Sequence, residues 1–201
     1  MITKLERRIE EKLVFPNSEK GKYLNKFFSD GFEYIFPSRQ ITSIYYENIN
    51  FDIYKDSLEG VVPRKKIRIR EKFDNLYLEE KIKLPDGKYK TSKKINDIPN
   101  VIHDKSYGIV KKICKITYSR SYLSNGKIRL TLDSDLKFEN LINRYVFNMN
   151  NNIILEYKIL DDFSSSENYI NSHKELNSFK FSKYEQAISK VIFGHQLPQY
   201  Y

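Results

Sequence analysis

Residues 64–70, RKKIRIR, constrain the fold of this chain more than any other segment. Successive side chains of an extended strand point to opposite faces, so Lys66, Arg68 and Arg70 share one face, opposite two isoleucines. Residues 78–83, LEEKIK, repeat this alternation of charged and apolar side chains. Two neighbouring strands that each present a row of charge repel each other unless an anion lies between them. The pattern therefore predicts paired strands whose charged face holds an anion.

Turn signals divide the rest of the chain into short strands. Asp74-Asn75, Asp86-Gly87 and Asn125-Gly126 are dipeptides typical of tight hairpin turns. With the alternation elsewhere they predict about eight strands, which suit an antiparallel barrel or a strongly curved sheet. Residues 96–111 are mixed and are predicted to be a linker with one helical turn.

Helices are predicted near both ends of the chain, over residues 19–30 and 183–193. In the second helix, Ser182 and Glu185 fit a capping box, in which the side chain of each residue bonds to the backbone N–H of the other. Apolar residues at helical spacing then give each helix one face to bury against the sheet.

In other predicted strands, too, the polar and charged side chains share one face. In most antiparallel sheets the polar face is simply the solvated one. Here the polar rows are heavily cationic with isolated glutamates, and the opposite faces are apolar. Closing such a sheet would turn the rows into the lumen of a polar tunnel. The further rows are Arg8, Glu10 and Lys12; Tyr118, Arg120 and Tyr122; Arg129, Thr131 and Asp133; and Glu156 with Lys158.

Charge then indicates what the lumen binds. The chain has 35 Lys and Arg against 26 Asp and Glu, a net charge of +9. Arg recognises phosphate oxygens in a planar, bidentate manner and Lys as a point charge, while glutamates among them suit Mg²⁺ or Mn²⁺. A chain of phosphates with a metal ion fits this pattern better than a single carboxylate ligand. The chain has one cysteine, Cys114, which excludes an intrachain disulfide framework. Its three histidines are scattered and show no zinc-ligand spacing.

Several motifs follow one another in the order seen in VTC domains, the polyphosphate polymerase module of the triphosphate tunnel metalloenzyme superfamily, which this chain resembles. The resemblance runs from about residue 6 to residue 190. It implies a single domain over residues 1–201 with an α+β fold: an eight-stranded antiparallel β tunnel or barrel flanked by helices, including a C-terminal closing helix. The motifs are Arg64-x-Lys66-Ile67-Arg68-x-Arg70, Leu78-Glu79-x-Lys81, Lys93-Lys94, Tyr118-x-Arg120, Ile154-Leu155-Glu156-x-Lys158 and Phe181-Ser182-Lys183-Tyr184.

The resemblance also implies an activity and a set of site residues. VTC domains polymerise the γ-phosphate of ATP into inorganic polyphosphate with a divalent metal, so the implied partners are ATP, polyphosphate and Mn²⁺ or Mg²⁺. The expected catalytic residues are Arg68, Arg70, Lys81 and Arg120. The expected phosphate-binding residues are Lys12, Lys66, Lys93, Tyr118, Lys158, Ser182 and Lys183. The expected metal ligands are Glu156 and Glu10.

Some of these expectations have alternatives. Ser182 serves as a helix cap, a phosphate contact or both, and Glu10 either binds metal or pairs with a tunnel arginine. The superfamily's Glu-x-Glu-x-Lys opening is here Arg8-Ile9-Glu10-Glu11-Lys12, which lacks the first glutamate.

The function has alternatives as well. The same tunnel with water as nucleophile would be a tripolyphosphatase or nucleoside triphosphatase, and a tunnel without chemistry would be a polyanion-binding module. Nucleic acid is the less expected partner, because the basic residues alternate with Ile and Leu instead of clustering with exposed aromatics. No apolar run is long enough to span a bilayer. The chain is expected to be cytoplasmic, with any membrane contact made through a membrane-protein partner.

Overall fold

The computed structural model describes the backbone of residues 2–5, 10–159 and 181–194. It describes the side chains of residues 12–158 and 181–194. The described strands form one antiparallel sheet of eleven strands. The strands are β1 Ile2–Leu5, β2 Glu10–Pro16, β3 Glu33–Glu47, β4 Arg64–Lys72, β5 Asn75–Leu84, β6 Gly87–Ile95, β7 Val101–Asp104, β8 Gly108–Ser124, β9 Ile128–Asn140, β10 Val146–Met149 and β11 Asn152–Ile159. The helices are α1 Lys20–Ser29, α2 Asp52–Glu59 and α3 Lys183–Ile188, which a π-helical turn extends over Ser189–Phe193.

The two edge strands of the curled sheet, β1 and β2, follow each other directly along the chain. Its strand order is β1-β6-β5-β4-β3-β8-β9-β11-β2, with β7 added to β8 and β10 added to β9. Leu5 ends β1 and Glu10 begins β2, and five residues of chain span at most about 18 Å. The two edges of the sheet therefore lie near each other.

The antiparallel sheet with flanking helices confirms the coarse prediction, whereas a closed barrel of eight strands is not confirmed. No hydrogen-bonded ladder joins β1 to β2 among the described residues. The strand count rises because the N-terminal segment supplies two strands and because β7 and β10 add four-residue strands to β8 and β9.

The prediction of a linker with one helical turn over residues 96–111 is wrong. This segment contains β7, and β8 begins at Gly108, with Asp104 pairing with Gly108 across a tight turn. The Asp104 carboxylate accepts hydrogen bonds from the backbone N–H groups of Ser106 and Tyr107 and so stabilises the turn. Four residues are too few for a strand period to stand out in the sequence.

The apolar faces of the strands pack into two cores, as the alternation predicted. Ile67 and Ile69 of β4 are buried in the larger core, which also contains Tyr184 and Ile188 of α3. Phe27 of α1 is buried in the smaller core with residues of β2, β8, β9 and β11. Because these cores take the apolar faces, the charged faces of the strands are left to surround the interior of the curled sheet. No helix among the described residues is long and apolar enough to cross a bilayer.

The hairpin between β4 and β5 has an unusual loop. Lys72 pairs with Asn75, so the loop consists of Phe73 and Asp74, one residue earlier than the predicted Asp74-Asn75 turn. Both loop residues have positive φ, 46° and 59°. A two-residue loop of this kind favours Asn and Gly, and a bulky residue there is rare.

Candidate active site

A cavity of about 260 Å³ lies where the charged faces of the curled sheet converge. Seven strands (β2, β3, β4, β5, β6, β8 and β11) and the start of α3 contribute its lining. Eleven of the thirteen residues that the sequence nominated are among these lining residues. They are Lys12, Lys66, Arg68, Arg70, Lys81, Tyr118, Arg120, Glu156, Lys158, Ser182 and Lys183.

Two nominated residues do not line this cavity. Lys93 is exposed on β6 and pairs with Leu78. It lies three residues from Lys90, hence on the opposite face of the strand, and Lys90 is the β6 residue that lines the cavity. Lys93 therefore lies on the outer face of β6, away from this cavity. Glu10 pairs through its backbone with Lys158, and its side chain lies outside the described part of the structure.

The described lining of the cavity is strongly cationic. Nine Lys and Arg side chains line it, but Glu156 is the single carboxylate among them. Three further carboxylates, Glu79, Asp133 and Glu185, are buried behind the lining and contact its cations. Their position means that they orient the cations while leaving the cavity itself short of negative charge.

Glu79 of β5 organises the first group of cations. It is fully buried, and its Oε2 accepts hydrogen bonds from Arg68 Nε and Nη2 at 3.0 and 2.7 Å. Its Oε1 accepts from Lys90 Nζ at 2.8 Å and from Lys72. Burial alone would raise the pKa of Glu79, but the charge of Arg68 and the bonds from Lys72 and Lys90 lower it below its usual range. Glu79 therefore stays ionised and fixes Arg68, whose Nη1 also donates to Tyr45.

Asp133 of β9 organises a second group. Both of its oxygens accept from Arg120, and Oδ2 also accepts from Lys183 Nζ at 2.6 Å. Burial opposes ionisation of Asp133, but Lys183 and Arg120 lower its pKa. Glu156 lies beside this group, 3.1 Å from Lys158 Nζ and 4.0 Å from Arg120 Nη2. Burial would raise the pKa of Glu156, yet the surrounding cations, Lys158 first, hold it well below its usual range.

Arg70 differs from Arg68 and Arg120 because its hydrogen-bond partners are neutral. Its Nε donates to Ser43 Oγ and its Nη2 to the Tyr118 hydroxyl, both at 3.1 Å. Within the described residues no carboxylate forms an ion pair with it. Burial and the nearby charge of Arg68 lower the pKa of Arg70. Its positive charge is thus directed into the cavity without a matching carboxylate.

The start of α3 forms one end of the cavity. Ser182 has extended backbone angles, and its hydroxyl accepts a hydrogen bond from the Glu185 N–H at 3.4 Å, so it is the N-cap of this helix. The same oxygen accepts from Lys66 Nζ at 2.9 Å, and Lys66 also contacts Glu185 at 3.0 Å. The expected helix cap is present, and the residue faces the lumen as well.

A buried carboxylate supports this end from behind. Glu47 accepts hydrogen bonds from the Tyr184 hydroxyl and from the backbone N–H groups of Asn48, Ile53 and Tyr54. Burial raises the pKa of Glu47 to about 6 despite these bonds. Glu47 thereby connects the start of α2 to a residue that lines the cavity.

A second cavity, of about 450 Å³, adjoins the first. Arg70, Arg120 and Lys158 line both cavities. The two spaces therefore lie on either side of the same cations.

Comparison with known proteins identifies the family. A family model described as the VTC domain matches residues 2–112, more than half of the chain. The chain belongs to the VTC domain family. The matched part of this VTC domain includes Arg68, Arg70, Lys81 and Lys90, whereas Arg120, Asp133 and Glu156 lie beyond it. No curated protein matches the chain.

Solved structures of similar fold support the architecture of this VTC domain. A candidate adenylate cyclase from Bacillus halodurans is 15% identical, with 87% of this chain and 93% of that chain covered and a TM-score of 0.57. A candidate adenylyl cyclase from Hippeastrum, described as having a dominant triphosphatase activity, is 13% identical over 92% of this chain and 97% of that chain, with a TM-score of 0.53. At such identities the similarity shows the fold alone.

Proposed function

We propose that this VTC domain is a metal-dependent polyphosphate polymerase, which transfers the γ-phosphate of ATP to the end of a growing inorganic polyphosphate chain. The observation that carries the proposal is the charge of the first cavity, whose described lining has nine cationic side chains and one carboxylate. Unit charges about 4 Å apart interact by roughly 4 kcal/mol at an effective dielectric near 20. A polyanion in the cavity would supply the negative charge that the lining lacks.

The arrangement of the cations suits phosphoryl transfer. Such reactions depend mainly on positioning and on stabilising charge that spreads over the transferred phosphoryl oxygens. Arg68 and Arg120 are each held by a buried carboxylate, so they need little reorganisation to bind phosphate. Arg70 adds a charge that no carboxylate of the described residues matches.

The acceptor also fits the side chains that are present. In the proposed step, a terminal oxygen of polyphosphate forms a bond to the γ-phosphorus, and the bond from this phosphorus to the β–γ bridging oxygen breaks, releasing ADP. A terminal phosphate oxygen is already anionic at neutral pH, so the step requires no general base. The described lining of the cavity accordingly relies on Lys and Arg, and it includes no histidine.

The described residues could hold a metal ion only together with the phosphates of a bound substrate. They contain no group of three His, Cys, Asp or Glu side chains that could hold a metal ion by themselves. Mg²⁺ and Mn²⁺ are commonly held by one or two carboxylates together with substrate phosphates. Glu156 is the cavity-lining carboxylate that would serve in this way. The metal would neutralise phosphate charge when bound, and Lys158 and Arg120 would orient the carboxylate.

The direct test is an assay of the pure protein with ATP and Mn²⁺. Polyphosphate formed together with ADP supports the proposal. Orthophosphate released without chain growth would assign the tripolyphosphatase or nucleoside triphosphatase reaction instead. Salt-sensitive binding of polyphosphate without any turnover would leave a polyanion-binding module.

Arg70→Gln is the variant that tests the cavity most cleanly. We expect turnover to fall by about two to three orders of magnitude, the range typical for loss of one charge-stabilising donor. The fold should persist because the partners of Arg70 are neutral. Arg68→Ala is less informative, because it would deprive the buried Glu79 carboxylate of its main partner. Full activity of a folded Arg70→Gln protein would contradict the assignment of this cavity.

A further inference from the structure

Two aromatic rings, those of Phe73 and Tyr122, line part of the second cavity. The guanidinium of Arg39 lies between two rings, 5.0 Å from the centroid of Phe73 and 4.8 Å from the centroid of Tyr122. Its Nε also donates to the Tyr122 hydroxyl at 3.0 Å. The three side chains line the same cavity and form a stack of planar groups with Phe73 on the outside.

Neither burial nor turn preference explains Phe73, which contacts the Arg39 guanidinium. Its side chain is 79% exposed, so burial contributes little to stability. Its φ of 46° lies in the left-handed region, which favours Asn and Gly at this position of a two-residue hairpin loop. An aromatic ring thus lies at the edge of this cavity, at a loop position whose backbone conformation disfavours it.

Two polar side-chain atoms are buried in the wall of this cavity. The Nε of Arg129 and the Oγ1 of Thr131 are buried and make no hydrogen bond within the described residues, and Thr131 is only 1% exposed. Thr131 pairs with Tyr122 across β8 and β9, so it lies next to the aromatic stack. Buried polar atoms without partners are unfavourable. These two are available to a ligand that carries oxygen atoms.

The two cavities share the cations at their junction. Because Arg70, Arg120 and Lys158 line both, a triphosphate in the first cavity would extend its other end into the second. We propose that the second cavity binds the nucleoside end of the substrate nucleoside triphosphate. The base stacks on the exposed face of the Phe73 ring, and the sugar or α-phosphate oxygens bond to Arg129 and Thr131. This inference rests on the proposed function, which places the triphosphate among the shared cations.

A polyphosphate chain in the second cavity is the competing interpretation. Such a chain would gain from Arg39 and Arg129, but it has no planar group to stack on an exposed ring. Stacking of a base on an aromatic side chain or on a guanidinium is favourable for every base. The aromatic stack therefore favours a nucleoside.

The test compares the dissociation constants of ATP and inorganic tripolyphosphate, which share the triphosphate but not the base. Phe73→Asn removes the ring and places a residue that the turn favours, so the variant should melt no lower than the unmodified protein. We expect its Kd for ATP to rise about tenfold and its Kd for tripolyphosphate to stay within twofold. Phe73→Tyr, which keeps a ring, should retain the ATP affinity.

Two further variants sharpen the comparison. Arg39→Lys keeps the charge but loses the planar guanidinium beside which the Phe73 ring lies, so it should also weaken ATP binding selectively. Tyr145→Asn removes an exposed ring that lines neither cavity and should leave both constants unchanged.

The outcomes separate this inference from the proposed function. If Phe73→Asn leaves the ratio of the two dissociation constants unchanged, the nucleoside assignment is overturned while the triphosphate site stands. If the unmodified protein binds neither ligand, the proposed function fails, and the nucleoside assignment fails with it.

Discussion

Arg120 and Asp133 form a bidentate ion pair inside the curled sheet, with Nε–Oδ1 and Nη2–Oδ2 distances of 2.6 and 2.7 Å. The two residues lie directly opposite each other in the pairing of β8 with β9. Asp133 is fully buried and also binds Lys183. One carboxylate thus holds two cations from behind while both of them line the cavity.

Asp133→Asn should destabilise the free protein and make its stability depend on an anion. The substitution leaves Arg120 and Lys183 without their counter-ion, and loss of one partner of a buried ion pair typically costs about 3–5 kcal/mol. Bound tripolyphosphate should restore part of this loss, because it supplies the missing negative charge. The measurement is the melting temperature with and without tripolyphosphate.

Glu139→Gln is the matched control for this substitution. Glu139 lies on the same strand and pairs with Lys115 and Arg144, both more exposed than the partners of Asp133. Its loss should cost less than about 1 kcal/mol and respond little to tripolyphosphate. Equal losses in the two variants would refute the special role of Asp133.

Lys90 and Lys93 offer a test of which face of β6 binds phosphate. Lys90 lines the cavity and contacts Glu79, whereas Lys93 is exposed on the other face. Lys90→Gln should weaken tripolyphosphate binding about tenfold, the usual effect of losing one charged hydrogen bond, and Lys93→Gln should leave it within twofold. Titration calorimetry would decide, and the reverse result would move the site to the outer face.

Ser182 combines two roles that two substitutions can separate. Ser182→Ala removes the cap of α3 and should lower the free energy of unfolding by about 1 kcal/mol. Ser182→Asp keeps a good cap but places a negative charge beside the cavity, so stability should be retained while tripolyphosphate affinity falls at least about tenfold. Chemical denaturation and calorimetry measure the two effects. Unchanged affinity in the Asp variant would leave Ser182 as a helix cap alone.

Glu47 should make the protein more stable at mildly acidic pH. Burial raises its pKa to about 6, above the ordinary value of about 4.5 that it regains on unfolding. The folded protein therefore binds a proton that the unfolded chain releases, and stability rises as pH falls from about 7 to about 5. The full shift corresponds to about 2 kcal/mol, and about 1.2 kcal/mol of it should appear between pH 7 and pH 5. Guanidinium unfolding at both pH values would measure it.

The control for this pH effect is Glu47→Gln, which removes the titrating group. The carboxylates whose pKa is lowered, such as Glu79, act in the opposite direction and only below about pH 4.5. The gain between pH 7 and pH 5 should therefore vanish in the Gln variant. A gain that persists there would assign it to another group.

Strand parity was enough to predict much of the site. Lys66, Arg68 and Arg70 alternate with buried isoleucines, and a period of two leaves one arrangement in which the isoleucines are buried. The order of the motifs then indicated the family, which the family model confirms.

Other features could not be predicted because they depend on how distant strands meet. Glu79 was recognised as part of a charged row, but its burial under Arg68, Lys72 and Lys90 follows from the pairing of β4, β5 and β6. The motif order favours Lys93, although strand parity places Lys90 on the inner face. The second cavity involves β3, β4, β8, β9 and β11, so no local pattern reveals it.

The way the sheet curls also has a consequence for synthesis. Leu13 of β2 pairs with Leu155 of β11, near the other end of the described chain. Pairings between such distant residues form slowly, because most of the intervening chain must first be ordered. On the ribosome, β2 emerges among the first strands and stays unpaired, with Leu13 and Phe15 uncovered, until β11 has been made. This strand is therefore where the nascent chain most needs protection from aggregation.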